Sequence, residues 1–146
     1  MKELKIYTDG ACSGNPGKGG YCAILIYNGK EKVVSGSELN TTNNRMELLA
    51  VIRGLQTLKV PCSVELFSDS QYVTDAFNKG WITNWQKNDW KTSSKSQVKN
   101  RDLWEELLRL LSIHLVRFVK VKGHSDNEYN NRCDQIAVSE YKKLDS

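Results

Sequence analysis

No stretch of the 146-residue chain approaches the ~20 consecutive apolar residues that span a bilayer, and Met1 to Ile6 holds no apolar leader core. A cytoplasmic protein with no membrane contact is expected. Cysteine pairs are also lacking: Cys12, Cys22, Cys62 and Cys133 are scattered, with no C-x-x-C spacing or other zinc-type pattern. In a reducing compartment they read as free thiols filling small core sites. No linker, repeat or low-complexity tract divides the chain. Its length suits one domain that buries roughly 70% of its unfolded surface, so residues 1–146 are expected to form a single domain. At 39% hydrophobic and 26% charged residues, the composition excludes the disordered and fibrous classes.

The net charge of +4 is unevenly placed. Lys79, Lys87, Lys91, Lys95, Lys99 and Arg101 face one acid, Asp89, within 23 residues, so this segment carries +5 and the remainder −1. Trp81, Trp85 and Trp90 are interleaved with the cations. Flat apolar faces beside cations suit a nucleic-acid backbone. A solvated basic loop beside core tryptophans is the other reading, and these residues alone do not separate the two.

Hydrophobic periodicity places three strands in the first third. Leu4 to Thr8 alternates, Tyr21 to Tyr27 is a dense apolar run, and Lys32 to Leu39 resumes alternation. Asn28-Gly29 is a type I′ hairpin signal, and Gly14-Asn15-Pro16-Gly17 with Gly19-Gly20 reads as a flexible turn able to approach a ligand. From Asn43 to about Leu58 the spacing becomes helical, with Thr42 or Asn43 as the cap. A fourth strand covers Val64 to Phe67, and a helix through Tyr72 and Phe77 stops at Gly80. Beyond the basic segment come a helix through Trp104, a fifth strand from Leu115 to Val121, and a last helix bearing Ile136, Ala137 and Tyr141. This order predicts an α/β fold: a five-stranded mixed sheet, an antiparallel meander plus parallel strands, packed by helices.

Four acids sit where an acid needs compensation. Asp9 ends the first strand and Asp69 the fourth, and open α/β sheets gather their sites at the carboxyl ends of parallel strands. At ~100° per residue Glu47 projects between Gly54 and Leu58, on the flank of the apolar stripe. Asp134 likewise projects between Tyr141 and Val138. Burying isolated carboxylates is costly, so each wants a cation. Taken singly they read as turn formers or first-turn acids favoured by the helix dipole. No lysine, serine–histidine pair or cysteine–histidine pair stands beside them in sequence to suggest nucleophilic catalysis, and hard oxygen ligands point to Mg²⁺ or Mn²⁺ rather than zinc.

These acids and their surroundings resemble type 1 ribonuclease H. The segments that carry the resemblance are Tyr7-Thr8-Asp9-Gly10-Ala11-Cys12-Ser13-Gly14-Asn15-Pro16-Gly17, Thr41-Thr42-Asn43-Asn44-Arg45-Met46-Glu47-Leu48, Phe67-Ser68-Asp69-Ser70-Gln71-Tyr72, Val121-Lys122-Gly123-His124 and Asn131-Arg132-Cys133-Asp134. They follow the family's order across nearly the whole chain, a far more specific match than one short motif. The resemblance implies a ribonuclease H-like fold and an endoribonuclease that hydrolyses the RNA strand of RNA–DNA hybrids, leaving 3′-hydroxyl and 5′-phosphate ends. It implies that Asp9, Glu47, Asp69 and Asp134 hold two Mg²⁺ ions, with Mn²⁺ able to substitute, and that His124 assists proton transfer or product departure. It further implies that Asn15, Asn43, Asn44 and Gln71 meet the hybrid across its minor groove, and that Thr42, Trp81, Asn84 and Trp85 contact the DNA strand. Residues 87–101 match the family's basic protrusion, which brings Lys91, Lys95 and Lys99 to the substrate. The loop from Ser125 to Tyr129 carries acids and no proline, a departure from some members. His114 is read as structural, and a monomer with no obligatory protein partner is expected.

Two other readings remain. One keeps the fold and moves the chemistry to DNA, as in resolvases, transposase cores and exonucleases of the same fold. The Thr-Thr-Asn-Asn-Arg-Met-Glu and Lys-Gly-His segments count against it. The other is a non-catalytic hybrid-binding module, against which the four intact acids count, because a pure binder gains nothing from negative charge beside a phosphate.

Overall fold

The computed structural model describes residues 1–122 and 127–145. Its order is β1 (Lys2–Cys12), β2 (Gly17–Tyr27), β3 (Lys30–Thr41), α1 (Asn43–Gln56), β4 (Cys62–Ser68), α2 (Gln71–Asn78), α3 (Trp81–Lys87), α4 (Arg101–Leu111), β5 (Leu115–Lys120) and α5 (Glu128–Lys142), with a short 3₁₀ turn at Lys143–Asp145. The five strands form one sheet in the order β3-β2-β1-β4-β5. β1 pairs antiparallel with β2 and parallel with β4, and β4 pairs parallel with β5. The expected mixed α/β sheet is present, and β1 is its central strand.

A strand sends successive side chains to opposite faces, and both faces of β1 and β2 are covered. Leu4, Ile6, Ala23 and Leu25 pack with α1, α2 and α4, whereas Tyr7, Cys22 and Ile24 pack against Cys133 and Ala137 of α5. Burial on both sides explains why Tyr21 to Tyr27 reads as an unbroken apolar run. The four cysteines are free thiols, with Cys22, Cys62 and Cys133 buried.

Asn28 and Gly29 join β2 to β3 with φ of 51° and 75°, the left-handed pair a type I′ turn requires. Gly19 and Gly20 do not continue the turn at Gly14–Gly17. Both lie buried within β2, where a Cβ on Gly19 would meet the side chains of Thr41 and Met46 and one on Gly20 the backbone of Ala137. Their small size admits neighbouring protein rather than a ligand.

The periodicity also failed to announce α3. Gly80, at φ 75°, ends α2 and opens a further helix in which Ile82 is buried and Trp81 and Trp85 pack on the core. Seven residues give too little repeat to register as a helix. Among the described residues, no helix is long and apolar enough to cross a membrane.

Candidate active site

The register of β1 and β4 sets Thr8 beside Ser68, so Asp9 and Asp69 follow side by side where that parallel pairing stops; Asp9 does not end its strand, because β1 runs on to Cys12 with Asp9 still paired to Cys22 of β2. This is where β1 has an antiparallel neighbour on one side and a parallel one on the other. α1 crosses directly over that point. Gly10 permits the crossing, because a Cβ there would drive into the backbone of Met46 and Glu47. The Gly10 amide donates to Asp9 Oδ1 at 3.0 Å and to Glu47 Oε1 at 2.9 Å.

Asp9, Glu47 and Asp69 each present a carboxylate oxygen within 4.8 Å of the others. Asp9 is 3% exposed and Glu47 4%. Burial, and then the charge of Glu47, push the Asp9 carboxyl well above the ordinary range. Burial raises Glu47 too, against the lowering effect of its hydrogen bonds. Buried acids that crowd one another either keep a proton or need a cation. Among the described residues Glu47 Oε2 has no hydrogen-bond partner, and an orphaned carboxylate oxygen in an all-oxygen set suits a hard divalent ion. Asp134 faces the same cleft from α5, outside the close group of three.

The cleft encloses about 620 Å³ and is also lined by Asn43, Asn44, Ser70, Gln71, Tyr72, Val138 and Tyr141. The amides of Asn43, Asn44 and Gln71 thus share the acids' surface. Asn15 stands at its margin, where its Oδ1 accepts from the Asn43 amide at 3.2 Å. Thr42 caps α1, accepting from the Arg45 amide at 3.2 Å. Arg45 in turn makes a bidentate pair with Asp102, both contacts 3.0 Å, tying α1 to α4.

The basic segment forms a separate surface. Trp81 and Trp85 are half-buried with ring centroids 6.4 Å apart, and Trp85 lies 5.4 Å from the buried Trp104. Asn84 is exposed on the same helix. Trp90 offers no free face: it is buried, with the Arg101 guanidinium 5.3 Å from its ring. Lys91, Lys95 and Lys99 are all exposed, on a segment ordered by a bridge between Lys91 and Gln97 and by the Val98 amide donating to the Trp90 carbonyl at 2.9 Å. His124 lies outside the described residues. His114 is buried, and its Nδ1 accepts from the Cys62 amide at 3.1 Å, a structural contact.

Residues 1–142 match the model of the RNase H family. The chain belongs to the RNase H family. Membership makes it an enzyme, a nuclease of the ribonuclease H kind. A protein of Acetivibrio thermocellus named ribonuclease H is 62% identical over 143 residues, covering 98% of this chain and 97% of its own. One of Caldicellulosiruptor saccharolyticus with the same name is 61% identical over 144 residues, 99% of each chain. The structure of LC9-RNase H1, described as a type 1 RNase H with the type 2 active-site motif, superposes with a TM-score of 0.87 at 28% identity, over 98% of this chain and 74% of that one. LC11-RNase H1, solved with an RNA/DNA hybrid, shares the fold at a TM-score of 0.69 and 20% identity, over 98% and 99%. The RNase H family is metal-dependent, and Asp9, Glu47 and Asp69 form a group able to hold a cation.

The sequence pattern did not single out Ser70, Tyr72, Val138 or Tyr141 as cleft residues. Asp134, Val138 and Tyr141 stand at i, i+4 and i+7, a spacing that shares one helix face and could have revealed them.

Proposed function

We propose that this chain is a cytoplasmic, single-domain endoribonuclease that hydrolyses the RNA strand of RNA–DNA hybrids and leaves 3′-hydroxyl and 5′-phosphate ends. The observation that carries the reading is the convergence of three buried or half-buried carboxylates from β1, α1 and the end of β4, with Glu47 Oε2 unpartnered among the described residues. The solved complex of LC11-RNase H1 with a hybrid supports the substrate class.

Asp9, Glu47, Asp69 and Asp134 would hold two Mg²⁺ ions, with Mn²⁺ as a substitute. Bound ions supply charge neutralisation at the phosphate and a lowered pKa for the attacking water. The protein's own contribution is placement. Gly10 fixes Asp9 and Glu47 through one shared amide, and burial leaves few alternative rotamers. Asn15, Asn43, Asn44 and Gln71 can both donate to and accept from base edges and 2′-hydroxyls, the groups that distinguish RNA from DNA. Thr42, Trp81, Asn84 and Trp85 are assigned to the DNA strand, and Lys91, Lys95 and Lys99 to phosphates beyond. His124 is assigned to proton transfer or product departure. The chain acts as a monomer.

The test is cleavage of end-labelled RNA annealed to DNA, beside double-stranded RNA, double-stranded DNA and single-stranded RNA, each with Mg²⁺ and with chelator. Internal cutting of the hybrid alone, with metal alone, is expected. A hybrid bound but never cut under any divalent ion would make the chain a binding module, and cutting of DNA instead would overturn the substrate. Asp69→Asn should lower kcat by at least ~10²–10³-fold, the scale of losing one preorganised electrostatic group, while hybrid binding in chelator stays intact or improves.

A further inference from the structure

The α5 wall of the cleft carries Asp134, Val138 and Tyr141 on one helix face. At 1.5 Å per residue Tyr141 stands about 10.5 Å along the axis from Asp134. The helix has little freedom to shift, because Gly20 lets it rest on β2 and a Cβ there would collide with the Ala137 carbonyl and Glu140. Tyr141 therefore holds a fixed place at the cleft rim. Its ring is half-buried, and among the described residues its hydroxyl has no hydrogen-bond partner.

The two sides of the cleft are chemically unequal. α1 and α2 present the amides of Asn43, Asn44 and Gln71, whereas on the α5 wall Tyr141 is the one hydrogen-bond donor beside Asp134. Cations of α5 are engaged elsewhere or point outward: Arg132 pairs with Glu31, Lys143 just beyond the helix pairs with Glu140, and Lys142 is exposed and absent from the cleft lining. A strand whose scissile phosphate sits at the acids and runs along α5 next reaches this phenol. Tyrosine hydroxyls are regular partners of backbone phosphates and sugars, contacts that fix register.

Building on the hybrid-cleaving reading, we infer that Tyr141 is a substrate-contact residue whose hydroxyl donates to a phosphate oxygen of the RNA strand beside the scissile one. It sets how the strand lies across the acids without adding charge. Because the group is neutral, its loss should weaken binding equally at low and high salt, unlike loss of a lysine.

Tyr141→Phe removes the hydroxyl and keeps the ring. Hybrid Kd is measured in chelator, and KM and kcat with Mg²⁺, for variant and wild type. Kd and KM should rise roughly tenfold, the low end for one hydrogen bond to a charged acceptor. The slope of log Kd against log salt, and the Tm, should match wild type. Wild-type Kd and KM in the variant would overturn the contact, as would a loss confined to kcat. A wild type that neither binds nor cuts the hybrid would fail the underlying reading and take this contact with it. Tyr141→Leu, which also lacks a donor, should show at least the same loss, and wild-type affinity there too would exclude the contact.

Discussion

Glu47 Oε1 accepts from the Gly10 amide at 2.9 Å, across a crossing of β1 and α1 so close that residue 10 has no room for a Cβ. One backbone donor thereby sets the position of two carboxylates. Gly10→Ala should push the helix off the strand and destabilise the fold by about 1–3 kcal/mol, as overpacking does. Activity should fall further than stability alone explains, because Glu47 moves with the helix. Urea unfolding beside kcat measured well below Tm separates the two effects, and an unchanged midpoint would show the crossing to be looser than described.

The acid cluster should weaken the metal-free fold. Burial and then the charge of Glu47 raise the folded pKa of Asp9, while burial and then the charge of Asp69 raise that of Glu47 against its hydrogen bonds to Asp9 and Gly10. Unfolded, these groups lose their protons near pH 4. Above that pH the folded state binds more protons than the unfolded one, so the cluster's contribution makes stability fall as pH rises toward the raised values. Asp9→Asn should therefore raise Tm in chelator by several degrees at pH 8, the shift expected of about 1 kcal/mol in a domain of this size, and much less at pH 4. Mg²⁺ should raise the Tm of the wild type more than that of the variant. A variant less stable than wild type at pH 8 would contradict the account.

His114 gives the opposite slope. Burial lowers its pKa below 6.5, and its neutral Nδ1 accepts from the Cys62 amide. In the window between 6.5 and the lower folded value the unfolded chain binds the extra proton, so stability is lost as pH falls through that window. An NMR titration of the imidazole should give a midpoint below 6.5. His114→Gln, which can still accept from Cys62 without titrating, should flatten this part of the stability curve.

Lys91, Lys95 and Lys99 should act through phosphate charge alone. Replacing all three with Gln should raise KM and reduce the slope of log Kd against log salt by up to about 3, since each neutralised phosphate contributes ~0.9. Thermal stability should hold within a degree or so, because all three are exposed and form no ion pair among those described. An unchanged slope would remove this segment from the binding surface.

The sheet was legible in the sequence because its strands differ in burial in ways their side chains record. β2 is covered on both faces and reads as an apolar run, and the Asn28-Gly29 turn is written in residues that tolerate positive φ. The acids could be singled out because Glu47 breaks an apolar stripe. The hidden features depend on distant packing. Nothing local says that Gly19 and Gly20 face Met46 and Ala137 rather than a ligand, or that Trp90 is buried beneath Arg101. α3 escaped notice because its helicity comes from docking Ile82, Trp81 and Trp85 on the core.

The four acids ride on β1, α1, the end of β4 and α5, and no two of them are neighbours in sequence. The close group of Asp9, Glu47 and Asp69 exists only once strands separated by three other elements have paired. On the proposed assignment of Asp134 to the same acid set, the chain stays harmless to the RNA around it during synthesis until α5 has emerged and docked. By the same assignment, a partial opening that lifts α5 from β2 should return the chain to that inert condition, which would make nuclease activity a report on the completeness of the fold as a whole.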